Sequence, residues 1–253
     1  MMRRIFLPRV SVFGGDLILV NASFRYRGQG EGTLVSVTEN NLFLSLKCRR
    51  ALTDTLSAVG AEAKILPVSG WRSESEQTRL FQNSLFENGR AFTEKFVAFP
   101  GCSEHQTGLA VDLALKPARG EKIDEICPDF PYAGVCMDFR RRAADFGLIE
   151  RYPAGKETVT GIGHEPWHFR YVGVPHAQEI TRLGLTLEEY LSFLRNYTAK
   201  NPYCVSFGGR IASVWFLPVA ESTVLCPESG KVSLSGNNSD GFIVTEWKGG
   251  NEL

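Results

Sequence analysis

Between residues 64 and 115 the hydrophobic pattern changes period several times, and each change marks an element. Residues 64–69 form a short apolar run that ends in Gly70-Trp71-Arg72, which reads as a strand. Ser73-Glu74-Ser75-Glu76 then supplies a cap residue with a glutamate three positions on, a capping box. The helix it opens is predicted to run to about Asn88, with Gly89 as its stop and Gln77 in its first turn. Residues 90–102 show no period, contain Pro100-Gly101 and read as a loop or lid. From Leu109 to Leu115 the chain alternates. Ala110, Asp112 and Ala114 share one face, and Leu109, Val111, Leu113 and Leu115 share the other. A carboxylate between two small residues suits a crowded site where something else must fit.

Elsewhere residues 17–21 predict a short strand, and residues 41–59 a helix ended by Gly60. Residues 136–146 predict a helix stopped at Gly147, and residues 148–152 a strand. A further strand is expected over residues 168–172, starting after Pro166, because proline fits badly inside a central strand. Pro175 at a first helical position opens a helix that Gly184 closes, and Thr186-Leu187-Glu188-Glu189 opens another to about Tyr197. The last part reads as short β-type runs at 213–219, 223–226, 231–234 and 242–247, separated by turn-rich stretches such as Gly236–Gly241. The expected organisation is a larger α+β domain over residues 1–197 and a small β-rich appendage over residues 198–253.

Composition narrows the functional classes. The chain has 253 residues, and its 43% hydrophobic content supports a real core rather than disorder. Lysine and arginine total 28 against 28 aspartates and glutamates, which removes the electrostatic case for nucleic-acid binding. Arg140-Arg141-Arg142 sits in the 136–146 helix and reads as a solvated face. Met1-Met2-Arg3-Arg4 looks like the start of an export signal, but Pro8 and Arg9 interrupt the apolar stretch behind it. Leu17–Val20 is too short for a membrane span, so the expectation is a soluble, cytoplasmic protein. None of the six cysteines forms a C-x-x-C pair, so they read as reduced thiols. Cys127 and Cys136 are the pair to suspect of bridging if the protein is exported.

Three of the four histidines fall in or beside two short segments, Ser103–Asp112 and His164–His168. His105 and Asp112 could bind zinc from the two ends of a turn and strand, with Gly108 allowing the reversal, and His168 would be the third ligand. Glu165, three residues before His168, could carry a proton between water and a leaving amine. Arg72, between a strand and a helix cap, could hold an oxyanion or a substrate carboxylate. Spacing alone leaves the alternatives open: satisfied structural histidines, a salt-bridged Glu165 and a surface Arg72. Cys102 beside His105 raises a nucleophile–base pair, though sequence neighbours rarely form one.

The pattern S-x-H-x-x-G-x-A-x-D (Ser103–Asp112) followed by E-P-W-H (Glu165–His168) resembles the LAS-type zinc D,D-peptidases of metallopeptidase family M15. The flanks agree: Val68-Ser69-Gly70-Trp71-Arg72-Ser73, Glu76-Gln77-Thr78, and the run from His164 to Gly173. Within the family the likeness is to VanXY-type bifunctional D,D-dipeptidase/D,D-carboxypeptidases, and it extends from Leu17 to the C-terminus. The resemblance implies a central antiparallel sheet with flanking helices and one Zn2+ per chain. By matched position it implies His105, Asp112 and His168 as ligands, Glu165 as general base and acid, and Arg72 as stabiliser of the tetrahedral intermediate. Ser103, Gln77 and Trp167 would help hold the substrate.

The implied reaction is hydrolysis of D-Ala-D-Ala, as the free dipeptide or at the end of pentapeptide cell-wall precursors. It would deprive vancomycin of its target. Two other readings stay open at this level: a peptidoglycan endopeptidase or lysin of the same fold, and a non-catalytic zinc-containing binding module. The C-terminal β-rich part exceeds what a minimal peptidase of this type needs.

Overall fold

The computed structural model describes residues 4–28, 33–37, 42–119, 121–220, 223–225 and 231–248. The chain divides into two compact units, one of Val20–Thr186 and one of Met1–Leu19 with Leu187–Leu253. Sequence reading placed a boundary at 197; here the second unit begins at Leu187 and also takes the N-terminal 19 residues.

The Val20–Thr186 unit is built on a four-stranded antiparallel sheet, in the order Ile65–Ser69, Ala110–Leu115, Glu165–Tyr171 and Leu148–Tyr152. The alternation of residues 109–115 decides its layering. Val111 and Leu113 join Leu52 and Leu56 of helix Leu46–Ala58, Phe139 of helix Gly134–Ala143, Phe130 and Phe169 in one core. The rings of Phe130, Phe139 and Phe169 meet edge to face at 5.0–5.9 Å. Burying a side chain of this size contributes roughly 1.5–3 kcal/mol. The opposite register positions bring Asp112 directly across from His168, and Ala110 across from Arg170. One face of the sheet therefore stabilises the unit and the other carries polar chemistry.

The capping box is formed: Ser73 Oγ accepts from the Glu76 N–H at 3.2 Å and the Glu76 carboxylate accepts from the Ser73 N–H at 2.8 Å. It opens helix Glu74–Asn88, and Gly89 follows with φ +78°. Strand Leu148–Tyr152 has the expected bounds.

Several expectations are corrected. The helix expected from residue 41 runs from Leu46 to Ala58, because Ser45 Oγ caps it through the Cys48 N–H. Asn41 lies outside the described residues, and Phe43–Ser45 form a strand with Leu34–Ser36. The segment read as a loop holds helix Arg90–Phe96. Buried Thr93 ties that helix to its neighbour through Ser84 (2.8 Å) and donates to the Gly89 carbonyl at 2.9 Å. A polar core residue hid this helix from a hydrophobic-period reading.

Pro166 lies inside strand Glu165–Tyr171, not before it. It is tolerated because the neighbouring strand is irregular between Glu150 and Tyr152, where no regular ladder bond is demanded. Residues 17–21 form no strand. The Leu17 N–H donates to Ser235 Oγ, and Leu19 bonds to Asn237 and Asn238, so turn residues replace a ladder. Arg140 is not solvated: it pairs with Glu150 at 2.9 Å and donates to the carbonyls of Phe130, Pro131 and Pro166. Only Arg141 and Arg142 of that run are exposed.

The second unit contains helix Leu187–Leu194 and a four-stranded antiparallel sheet, in the order Lys231–Gly236, Gly241–Lys248, Arg210–Pro218 and Tyr203–Phe207. Leu7, Val12, Trp215, Phe242 and Val244 form its core. Strand Ile5–Leu7 pairs with Thr223–Leu225. Among the described residues, Cys48, Cys102, Cys127, Cys136 and Cys204 take part in no disulfide, while Cys226 lies outside them. No described helix is long and apolar enough to cross a membrane.

Candidate active site

Three elements deliver the polar cluster. A short 3-10 turn, Glu104–Thr107, presents His105, and Gly108 ends it at φ +71°. Only glycine suits that position, since a Cβ there would meet Leu34 Cδ2 at 2.8 Å and the Ser45 nitrogen at 3.1 Å. The reversal leads into strand Ala110–Leu115 with Asp112, and the adjacent strand carries His168.

His105, Asp112 and His168 come together as a buried group whose ligand-type atoms lie within 4.8 Å of one another. Asp112 Oδ2 is 3.2 Å from His105 Nε2, and Oδ1 is 3.0 Å from His168 Nδ1. The two rings stand perpendicular with centroids 5.0 Å apart. His105 Nδ1 lies 2.6 Å from the Gly70 carbonyl, which can only accept, so that nitrogen carries the proton and Nε2 offers a lone pair. A lone pair and a carboxylate oxygen at 3.2 Å repel unless a cation stands with them. Asp112 Oδ1 is buried without a hydrogen-bond partner. This donor set, two imidazoles and one carboxylate with an orphaned oxygen, fits a zinc-type cation with an open position.

The electrostatics point the same way. Burial alone would raise the Asp112 pKa, but His105 and His168 hold it below the ordinary range. Burial keeps His105 low despite Asp112. Burial would also lower His168, yet the neighbouring carboxylates, Asp112 first and then Glu104 and Glu165, push it up to about 10. In the protein alone a proton on His168 balances these carboxylates, and the group demands positive charge.

Glu165 lies 3.5 Å from His168 Nδ1 and is pushed up to about 8, chiefly by burial. A carboxyl held near neutrality can both take and return a proton. Arg72 is half-buried, not on the open surface. Its Nη1 donates to Gln77 Oε1 and its Nη2 to Ser69 Oγ, each at 2.7 Å, which fixes the guanidinium plane. Gln77 Nε2 donates to the Ala98 carbonyl at 2.7 Å, so both ends of this amide are engaged in holding the wall. Ser103 Oγ accepts from the His105 N–H at 3.4 Å. Arg72, Gln77, Ser103, Asp112, Glu165 and Trp167 line one cleft together with His105 and His168.

The nucleophile–base alternative is not supported. Burial raises the Cys102 thiol pKa, and the His105 ring is committed to Gly70 and Asp112.

Sequence reasoning missed a second layer. Glu104 is fully buried, with Oε1 2.8 Å from Arg151 Nε and 2.9 Å from Arg170 Nη1. Its Oε2 faces His168 Nε2 at 3.7 Å. Burial opposes its ionisation, but Arg151, Arg170 and His168 hold its carboxyl well below the usual range. The signal was present: Glu104 sits inside the Ser103–His105 motif, and Arg170 is two residues from His168 on the same strand face. Tyr152 was also missed; its ring packs 4.9 Å from the His168 ring and lines the cleft.

Residues 44–174 match the VanY family, described as D-alanyl-D-alanine carboxypeptidase. The chain is 45% identical over 161 residues, 64% of its length and 84% of the relative's, to the bifunctional D-Ala-D-Ala dipeptidase and D-Ala-D-Ala carboxypeptidase VanXYC of Enterococcus gallinarum. Among solved structures it matches the vancomycin resistance D,D-dipeptidase VanXYg, in complex with a D-Ala-D-Ala phosphinate analogue. That match has a TM-score of 0.93 and 41% identity, covering 98% of this chain and 100% of the other. A variant of the vancomycin resistance D,D-pentapeptidase VanY from a VanB-type cassette, in complex with Zn(II), matches with a TM-score of 0.58 and 32% identity, covering 70% of this chain and 98% of the other.

Proposed function

The chain belongs to the VanY family of D-alanyl-D-alanine carboxypeptidases, and from that premise we propose that it is a zinc peptidase of the D-Ala-D-Ala amide. Its substrates are the free dipeptide and the C-terminus of muramyl-pentapeptide precursors, and its product D-Ala is released at the expense of the terminus that vancomycin binds. The relatives' activities and their bound D-Ala-D-Ala analogue support the substrate class. The observation that carries the reading is Asp112 set between the inward nitrogens of His105 and His168, with Glu165 beside them in an Arg72-lined cleft.

His105 Nε2, Asp112 and His168 Nδ1 would hold the Zn2+. Zinc at such a site supplies Lewis acidity toward the scissile carbonyl and lowers the pKa of water to about 7. Glu165 takes the proton from the attacking water as its oxygen bonds to the carbonyl carbon. The same carboxyl then gives that proton to the amide nitrogen as the C–N bond breaks, so D-Ala leaves as an amine. Arg72, its plane fixed by Ser69 and Gln77, stabilises the negative charge that builds on the carbonyl oxygen. Ser103 and Trp167 hold the D-Ala ends, and Gln77 serves substrate binding through the Arg72 side chain it orients.

The test is D-Ala release from D-Ala-D-Ala and from a muramyl pentapeptide, measured side by side with and without a chelator. Release that needs zinc supports the reading. Zinc-loaded protein that releases nothing from either substrate overturns it.

A further inference from the structure

Glu104 lies behind His168, not in front of it, and the reaction just described does not use it. Its two oxygens are treated differently. Both guanidinium contacts, from Arg151 Nε and Arg170 Nη1, fall on Oε1. A carboxylate whose whole task was to neutralise two buried arginines would offer both oxygens, as fork-type pairs do. Instead Oε2 is turned toward His168 Nε2 at 3.7 Å. Both atoms are fully buried, and neither has a hydrogen-bond partner. Two complementary polar atoms left facing each other in a dry interior are costly unless they close on one another. A shift of the 3-10 turn or the ring brings them to the ~3.0 Å of a formed N–H···O bond.

We propose that Glu104 is the positioning residue of His168: it accepts the Nε2–H bond and so fixes the ring with Nδ1 turned toward Asp112. Arg151 and Arg170 hold Glu104 in turn, from two neighbouring strands of the sheet. Ala110, opposite Arg170 in register, has only a methyl side chain and leaves room on that face for the guanidinium. The result is a two-layer support in which a buried charge cluster sets which imidazole nitrogen meets the cation. The His105 ring is fixed in the opposite sense, with Nδ1–H on the Gly70 carbonyl and Nε2 inward. Outer partners of this kind orient ligand histidines and raise their basicity.

This inference rests on the zinc reading above, and its failure is distinguishable from the failure of that reading. Zinc-loaded, full-length protein labelled with 15N at histidine is examined by long-range 15N–1H correlation, with His164 and His176 assigned from H164Q and H176Q. The expected pattern is one ring bound through Nε2 with Nδ1–H and one bound through Nδ1 with an exchange-protected Nε2–H. Two rings bound through Nε2, or a His168 Nε2–H in free exchange, overturn the role of Glu104 while leaving the zinc site intact. Protein that takes up no zinc overturns both.

A second measurement is Glu104→Gln, which keeps a carbonyl oxygen but loses the charge. Competition against a chelator is expected to show zinc affinity weakened about 10- to 100-fold, with D-Ala release recovered at saturating zinc. Zinc affinity equal to the parent's overturns the proposal. If E104Q does not fold, the measurement on the parent protein decides.

Discussion

Asp112 stands directly opposite His168 across two antiparallel strands, with Oδ1 3.0 Å from Nδ1. Its other oxygen reaches His105. One carboxylate thus spans two imidazoles, and the three side chains form a buried donor set for a cation. Chelation is therefore expected to abolish D-Ala release, and equimolar zinc to restore it. Free zinc at about 100 times its dissociation constant should stabilise the protein by ~2.7 kcal/mol, read as a rise in Tm. Asp112→Ala should remove both effects while the metal-free protein stays folded. A zinc-dependent Tm shift that survives in D112A would count against this ligand set.

Zinc uptake should also expel protons at neutral pH. His168 is raised to about 10 by Asp112 and its neighbours against the pull of burial, and Glu165 is raised to about 8 by burial. At pH 7 both hold a proton in the metal-free protein. A ligating imidazole must give up its proton, and a nearby cation lowers the carboxyl. At least one proton should leave per zinc, and apparent affinity should rise with pH between 6 and 8. Calorimetry in buffers of different ionisation heat measures this directly. Binding without proton release is the contrary result.

Arg72 owes its orientation to Ser69 Oγ and Gln77 Oε1. Arg72→Ala should lower kcat by roughly 10²–10³-fold, the usual effect of removing one donor to a developing oxyanion. Gln77→Ala should act in the same direction more weakly, because the guanidinium keeps its charge and loses one anchor. Zinc affinity should be unchanged in both. Steady-state kinetics with chelator competition separates the two effects.

Glu165→Gln should retain zinc and lose about 10²–10⁴-fold in kcat, since an amide of the same shape cannot shuttle a proton. A variant that kept parental turnover would assign the proton transfer to another group.

Much of this site was legible in the sequence because its signals are local. The capping box at Ser73, Gly108 at a reversal and the small residues flanking Asp112 each constrain a few neighbouring positions, and each lies where the pattern put it. The misreadings came from relationships between distant segments. Pro166 reads as a strand breaker until the irregular partner strand is known. Thr93 reads as a loop residue until Ser84 is placed beside it. Glu104 drew no reading of its own, because its partners Arg151 and Arg170 come from other strands. A buried charge is defined by partners that a linear reading cannot pair.

His176 gives a last prediction, on stability. It is buried at the start of helix His176–Leu183, and burial pushes its pKa down to about 4 although Glu179 pulls the other way. Unfolded, the ring titrates near 6.5, so between about pH 6.5 and 4 the unfolded chain binds a proton that the folded protein refuses. Stability from this residue is therefore fully present above pH 6.5 and falls as pH drops, by up to about 3 kcal/mol near pH 4. Urea unfolding at pH 7 and at pH 5 should show the loss beginning in this window. In His176→Leu the loss between these two pH values should shrink by the His176 share, whatever the substitution costs at pH 7. An identical pH dependence in H176L would mean that the ring protonates as easily folded as unfolded.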